Sequence, residues 1–101
     1  MYIEPKQIGE VEISGVTYPI IEVHGLFGDG DPAWGKIDSS KGIIHIESDM
    51  SEVFKRRTIW HEILHGILFS AGYSDHPENI IKALSIGLDQ IIHGNKLRMI
   101  E

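Results

Sequence analysis

The spacing of apolar residues changes period near Asp49, and this change limits the folds open to the chain. Before it, short runs rich in valine, isoleucine, threonine and tyrosine alternate apolar and polar residues, as strands do. After it, apolar residues recur at the three- and four-residue spacing of helices. Because the two patterns occupy separate halves, the sequence predicts an α+β fold, in which a small antiparallel sheet is followed by two helices.

Two pairs of short strands are expected in the first half. Residues 10–14 and 16–23 flank a glycine and predict a hairpin. Pro19 in the second of these runs favours a position toward the edge of the sheet, since proline cannot donate a hydrogen bond to a neighbouring strand. Residues 34–38 and 42–47 predict a second pair, joined by a turn of serine, lysine and glycine.

The second half predicts two helices with recognisable ends. The first covers about residues 51–71, with Asp49 or Ser51 as its N-cap and Gly72 as its C-cap. The second opens at Asp75, a capping residue that is followed by a proline and a glutamate, and it continues through the remaining apolar repeat.

Length and composition narrow the functional classes. The 101 residues predict one domain, residues 1–101, with no second domain to seek. The net charge of -6 argues against binding to nucleic acid or to an anionic membrane surface. The N-terminus does not resemble a secretory signal and no run approaches the roughly 20 apolar residues of a membrane span, so a cytoplasmic location is expected. The absence of cysteine leaves histidine and carboxylate as the strong metal ligands.

Residues 61–65 read His-Glu-Ile-Leu-His within the first predicted helix. Helical residues at i and i+4 lie about 40° apart, so His61 and His65 can direct one nitrogen each at a single ion. Glu62 lies about 80° from the midpoint of that pair, beside the ion, where a general base for metal-bound water belongs. The alternative is that both histidines are ordinary polar residues of an amphipathic helix. Zinc is the expected metal.

The segment from His61 to Leu68 resembles the active-site helix of zincin metallopeptidases, and the wider pattern resembles small zincin-like proteins encoded by phages and prophages. The wider resemblance covers about residues 10–95. It includes the residues 34–38, 43–46, Thr58, Ala83, Leu84, Gly87, Leu88 and Gln90. It implies a zincin-like fold in which an edge strand beside the motif helix holds an extended peptide, with residues 43–47 as that edge.

The third protein ligand stays open at this stage. Ala71 stands six residues after His65, where metzincins have histidine, and Ser85 stands about where thermolysin-like enzymes have glutamate. His76 and Glu78 remain as candidates. The chain also resembles immunity-repressor peptidases in having a glutamate that opens the following helix, which favours Glu78, with His76 as the rival. Catalytic zinc needs three protein ligands and one open position.

Two functions fit these residues. The first is a zinc-dependent hydrolase, a metallopeptidase in which Glu62 is the general base for zinc-bound water. The second is a non-catalytic binding module that keeps the zinc site as a staple and acts through a protein partner. Both functions imply a peptide or a protein as the substrate or partner. The intact Glu62 favours the enzyme, because a glutamate at this position is needed for hydrolysis and not for holding metal.

Overall fold

The computed structural model describes residues 3–28, 30–94 and 97–100 of the chain. These residues form an α+β structure, as the change of period predicts. Its elements in chain order are β1 (Lys6–Ile13), β2 (Val16–Val23), β3 (Phe27–Gly28), β4 (Asp31–Pro32), β5 (Gly35–Asp38), β6 (Ile43–Glu47), α1 (Glu52–Ser70) and α2 (Glu78–His93).

The main sheet has four strands in the order β1-β2-β6-β5. The outer pairs, β1 with β2 and β5 with β6, are antiparallel hairpins, whereas the central pair, β2 with β6, is parallel. The prediction of a wholly antiparallel sheet is therefore wrong at its centre. Residues 24–42 separate these two strands and include β3, β4 and β5. A connection of that length lets β6 return in the direction of β2, which a tight turn does not allow.

The first hairpin turns through Ser14 and Gly15, whose φ angles are 50° and 83°. Two consecutive residues with positive φ are typical of the two-residue turns that match the twist of a hairpin. Pro19 does not place β2 at an edge, because β2 lies between β1 and β6. The pairing with β6 begins only at Ile20, so Pro19 has a neighbouring strand on one side. That position tolerates the missing N–H.

The main core lies between the sheet and α1. Its buried members are Ile13, Tyr18, Ile20, Ile44, Ile46 and Ile63. Gly66 allows α1 to approach the sheet closely. A Cβ atom at this glycine would lie 2.7 Å from Cδ1 of Ile37 and 3.0 Å from Cδ1 of Ile13. The helix that carries the His-Glu-x-x-His segment is therefore held directly against β5 and β1.

Both ends of α1 agree with the sequence. Ser51, not Asp49, is the N-cap, and its side chain accepts a hydrogen bond from the backbone N–H of Phe54 at 3.3 Å. Gly72 follows the helix with a φ of 92°. Its N–H donates to the Phe69 carbonyl at 3.1 Å, and the next N–H donates to the Leu68 carbonyl at 2.9 Å. This pairing is the Schellman motif, in which a left-handed glycine satisfies the last carbonyls of a helix.

Helix α2 begins differently from the prediction. Pro77 is its N-cap and no side-chain hydrogen bond caps the helix, so the expected capping role of Asp75 is wrong. Glu78 is consequently the first helical residue. The helix runs antiparallel to α1, since Arg56 near the start of α1 contacts Asp89 near the end of α2. Within the described ranges, neither helix combines the length and the apolar character that a membrane crossing requires.

Candidate metal centre

His61, His65 and Glu78 converge where the middle of α1 meets the start of α2. Nε2 of His61 lies 3.0 Å from Oε2 of Glu78, and Nε2 of His65 lies 3.0 Å from Oε1 of the same carboxylate. One ligand atom from each residue lies within 4.8 Å of the other two. The ligand atoms of a tetrahedral zinc site lie about 3.3 Å apart. The three side chains can therefore surround one small divalent ion once rotations of the side chains bring their ligand atoms to that spacing.

A chain of hydrogen bonds behind His65 fixes the position of its proton. Nε2 of His76 lies 2.6 Å from the carbonyl oxygen of Tyr73, and Nδ1 of His76 lies 2.8 Å from Nδ1 of His65. A carbonyl only accepts hydrogen bonds, so Nε2 of His76 carries the proton and donates. Nδ1 of a neutral His76 then accepts, and Nδ1 of His65 donates to it. This tautomer leaves the lone pair of His65 on Nε2.

That lone pair points at the Glu78 carboxylate, so the donor set suits a cation. Two electron-rich atoms 3.0 Å apart repel each other unless a proton or a metal ion lies between them. Burial lowers the pKa of His65 below its ordinary value, which favours the neutral imidazole that metal binding requires. Two imidazoles and one carboxylate form a ligand set that zinc takes in catalytic sites. The residues present therefore fit the metal expected from the sequence.

Of the two candidates for third ligand, Glu78 faces both histidines and His76 does not. His76 lies on the far side of the His65 ring, where it contacts Nδ1 instead of Nε2. Because Asp75 does not cap α2, Glu78 is not held in a capping box and can turn toward α1. Its side chain is 68% exposed, so one side of the cluster is open to solvent and to a substrate.

Glu62 lies beside the cluster and is buried against β5. A Cβ atom on Gly35 would lie 3.1 Å from Oε2 of Glu62 and 2.7 Å from Cγ2 of Thr58, so only glycine leaves room for the carboxylate there. Burial, with a smaller contribution from the charge of Glu78, raises the pKa of Glu62 to about 7, although the backbone N–H of Ile37 opposes the shift. A carboxylate with a pKa near 7 is matched to accepting and returning a proton at neutral pH.

The edge of the sheet beside this site is β5, not the strand at residues 43–47. Strand β6 lies between β2 and β5, which overturns its expected place at the edge. The N–H of Glu47 donates to the carbonyl of Trp34, so alternate residues of the ladder, Gly35 and Ile37, direct their backbone groups away from β6. These groups face the open edge. Main-chain groups at such an edge can pair with an extended peptide.

Two cavities meet at Gly35 and Glu62. One, of about 470 Å³, extends between α1 and α2 and reaches His61 and Ile86. The other, of about 680 Å³, follows the edge of β5 and reaches His65 and His76. The candidate site thus lies at the centre of a continuous depression with a separate volume on each side.

Sequence reasoning identified His61, Glu62, His65, Glu78 and His76, and the structure places all five within one cluster. The sequence did not reveal two backbone features, the Tyr73 carbonyl that orients His76 and the close approach of Gly35 to Glu62. No pattern in a single sequence marks a backbone carbonyl as a hydrogen-bond acceptor. Comparison of the chain with protein-family models, with curated proteins and with solved structures gave no match.

Proposed function

We propose that this protein is a zinc-dependent hydrolase that cleaves peptide bonds. The observation that carries the proposal is the convergence of His61, His65 and Glu78 beside the buried carboxylate of Glu62. Structural zinc sites are closed by four protein ligands, whereas three ligands and an open side are typical of catalytic sites. We also propose that the chain is related to the small zincin-like proteins of phages and prophages that its sequence resembles.

His61, His65 and Glu78 would hold the ion. Zinc supplies Lewis-acid chemistry, since it lowers the pKa of a water molecule and polarises a carbonyl group. Glu62 takes the proton from the attacking water and returns it to the leaving amine. Burial raises the pKa of this carboxyl to about 7 in the metal-free protein, and the charge of a bound ion would lower it, so the ionised form that accepts a proton is favoured. His76 keeps the proton of His65 on Nδ1 and so keeps Nε2 available to the ion.

The substrate class follows from the open edge of β5. The backbone N–H of Ile37 already interacts with Glu62, so an extended peptide that pairs with the backbone groups of Gly35 and the carbonyl group of Ile37 would pass close to Glu62. Backbone pairing binds peptides of many sequences, and the two adjacent cavities can receive side chains. The proposed substrate is therefore an unfolded or extended segment of a polypeptide, not a small molecule.

The decisive experiment joins metal analysis with a cleavage assay. We expect about one zinc per chain in protein purified without chelator, and cleavage of a peptide library that mass spectrometry detects. Glu62→Gln should keep the zinc and the fold and lower cleavage at least a hundredfold, because the amide has the same shape and accepts no proton. A wild type that holds zinc and cleaves nothing would overturn the hydrolase and favour the zinc-stabilised binding module.

A further inference from the structure

The cavity of about 470 Å³ between α1 and α2 has a distinct chemical character. Its apolar wall includes Trp34, Phe54 and Ile86, and two cationic side chains, Arg57 and Lys82, also line it. The volume falls within the roughly 300–1,000 Å³ of small-molecule and side-chain pockets. The net charge of the whole chain is -6, so two positively charged side chains on one apolar cavity differ in sign from the protein as a whole.

The two cations lie at the same level of the helix pair. Arg57 precedes His61 by four residues on α1, and Lys82 follows Glu78 by four residues on α2. Because the helices are antiparallel, both steps lead in one direction, away from the metal ligands. Four residues of helix rise about 6 Å. At about 3.3 Å per residue of an extended peptide, the cations therefore lie about two substrate residues away from the position where the bond would be cleaved.

Asp89 lies within 4.0 Å of two arginines, Arg56 and Arg57, so its single charge offsets only one of theirs. Asp89 is held by Arg56, which donates from Nε at 2.9 Å and from Nη2 at 3.4 Å. Nε of Arg57 lies 3.9 Å from Asp89, beyond hydrogen-bond distance, and it is buried without a hydrogen-bond partner among the described residues. The side chain of Arg57 as a whole is 37% exposed and lines the cavity, so a ligand there can meet its charge.

Lys82 adds the second positive charge. It makes no ion pair within the described part of the chain. Glu62 is the acidic residue that lines this cavity. It lies next to the metal ligands, where the positive charge of a bound ion would offset its negative charge. Arg57 and Lys82 thus leave two positive charges for a ligand at the other end of the cavity, and the apolar wall suits the methylene groups of that ligand.

From these contacts we infer that the cavity between α1 and α2 is a specificity subsite for a carboxylate on an apolar stem, located about two residues from the bond that is cleaved. The inference rests on the proposed peptide-bond hydrolysis. The carboxylate can come from an acidic side chain of the substrate or from the free C-terminus of a short peptide. Arginine and lysine recognise both sources through charge-assisted hydrogen bonds.

The test uses the zinc-loaded Glu62→Gln protein, which binds peptides without cleaving them. Paired hexapeptide libraries carry glutamate or glutamine at each position in turn, with a free or an amidated C-terminus, and calorimetry measures their affinities. We expect one source of carboxylate to bind at least tenfold more tightly than its neutral counterpart. Lys82→Met should lower that ratio several-fold, because Arg57 keeps one of the two positive charges. The matched control Lys41→Met, a lysine of the turn between β5 and β6, should keep it.

Equal affinities for charged and neutral peptides, or a ratio unchanged by Lys82→Met, would overturn the subsite. The same libraries, given to wild-type protein, separate this failure from failure of the proposed function. Cleavage that depends on Glu62 but shows no preference for a carboxylate would overturn the subsite alone. If wild type cleaves no peptide, the hydrolase is overturned, and the affinity ratio still supports or overturns the carboxylate subsite.

Discussion

Substitution of His76 tests whether the hydrogen-bond chain behind His65 controls metal affinity. In the protein, Tyr73 accepts from Nε2 of His76, and Nδ1 of His76 accepts from Nδ1 of His65. His76→Ala removes the middle member. The His65 ring then loses the partner that holds its proton on Nδ1, so it can rotate or place the proton on Nε2, where zinc would bind.

The expected loss follows from the environment of that contact. Removal of an outer partner of a ligating histidine costs about 10- to 100-fold in metal affinity, or about 1.4 to 2.7 kcal/mol. His76 is half-buried, so water can replace part of the contact. We therefore expect the lower end, about tenfold. Glu78→Ala should cost more than tenfold, because it removes the carboxylate that faces both histidines.

Titration of zinc against a competing chelator measures both losses. His24→Ala is a matched control, since His24 is exposed and lies in the loop after β2, and it should keep wild-type affinity. Urea unfolding of the metal-free proteins separates metal affinity from fold stability. Unchanged zinc affinity in His76→Ala would refute the reasoning about the tautomer. If Glu78→Ala kept its zinc while His76→Ala lost it, His76 would be the third ligand.

Three further expectations concern the metal, the base and the core. Removal of zinc by a chelator should lower the melting temperature, because zinc at a hundred times its Kd stabilises the native state by about 2.7 kcal/mol. An identical calorimetric melting curve with and without zinc would contradict this expectation. Gly35→Ala should lower cleavage and keep the zinc, since the new Cβ would lie 3.1 Å from Oε2 of Glu62. The control Gly87→Ala should leave cleavage unchanged, because no atom lies within 4 Å of the Cβ that it adds. Ile44→Ala, at a fully buried position of β6, should destabilise the protein by about 2 to 5 kcal/mol in urea unfolding, and a loss below 1 kcal/mol would show that the core relaxes around it.

Local patterns in the sequence were sufficient for the two helices and for placing His61 and His65 on one face of the first. The i, i+4 spacing of His61 and His65 has a fixed meaning on any helix, and Gly72 marks the end of α1 because a left-handed residue is needed there. Both features depend on neighbours a few residues apart. The sequence therefore predicted the motif helix, the hairpins and the α+β class correctly without any knowledge of long-range contacts.

Long-range contacts decided the rest. The parallel pairing of β2 with β6 moved the open edge to β5, and strand order is a property of the whole chain that no local run encodes. Helix α1 carries apolar residues on much of its circumference, so its sequence could not show that Glu62 faces β5. The choice between His76 and Glu78 depended on the return of α2 along α1. Only the packed structure shows which side chain meets both histidines, because two residues close in sequence reached opposite sides of the His65 ring.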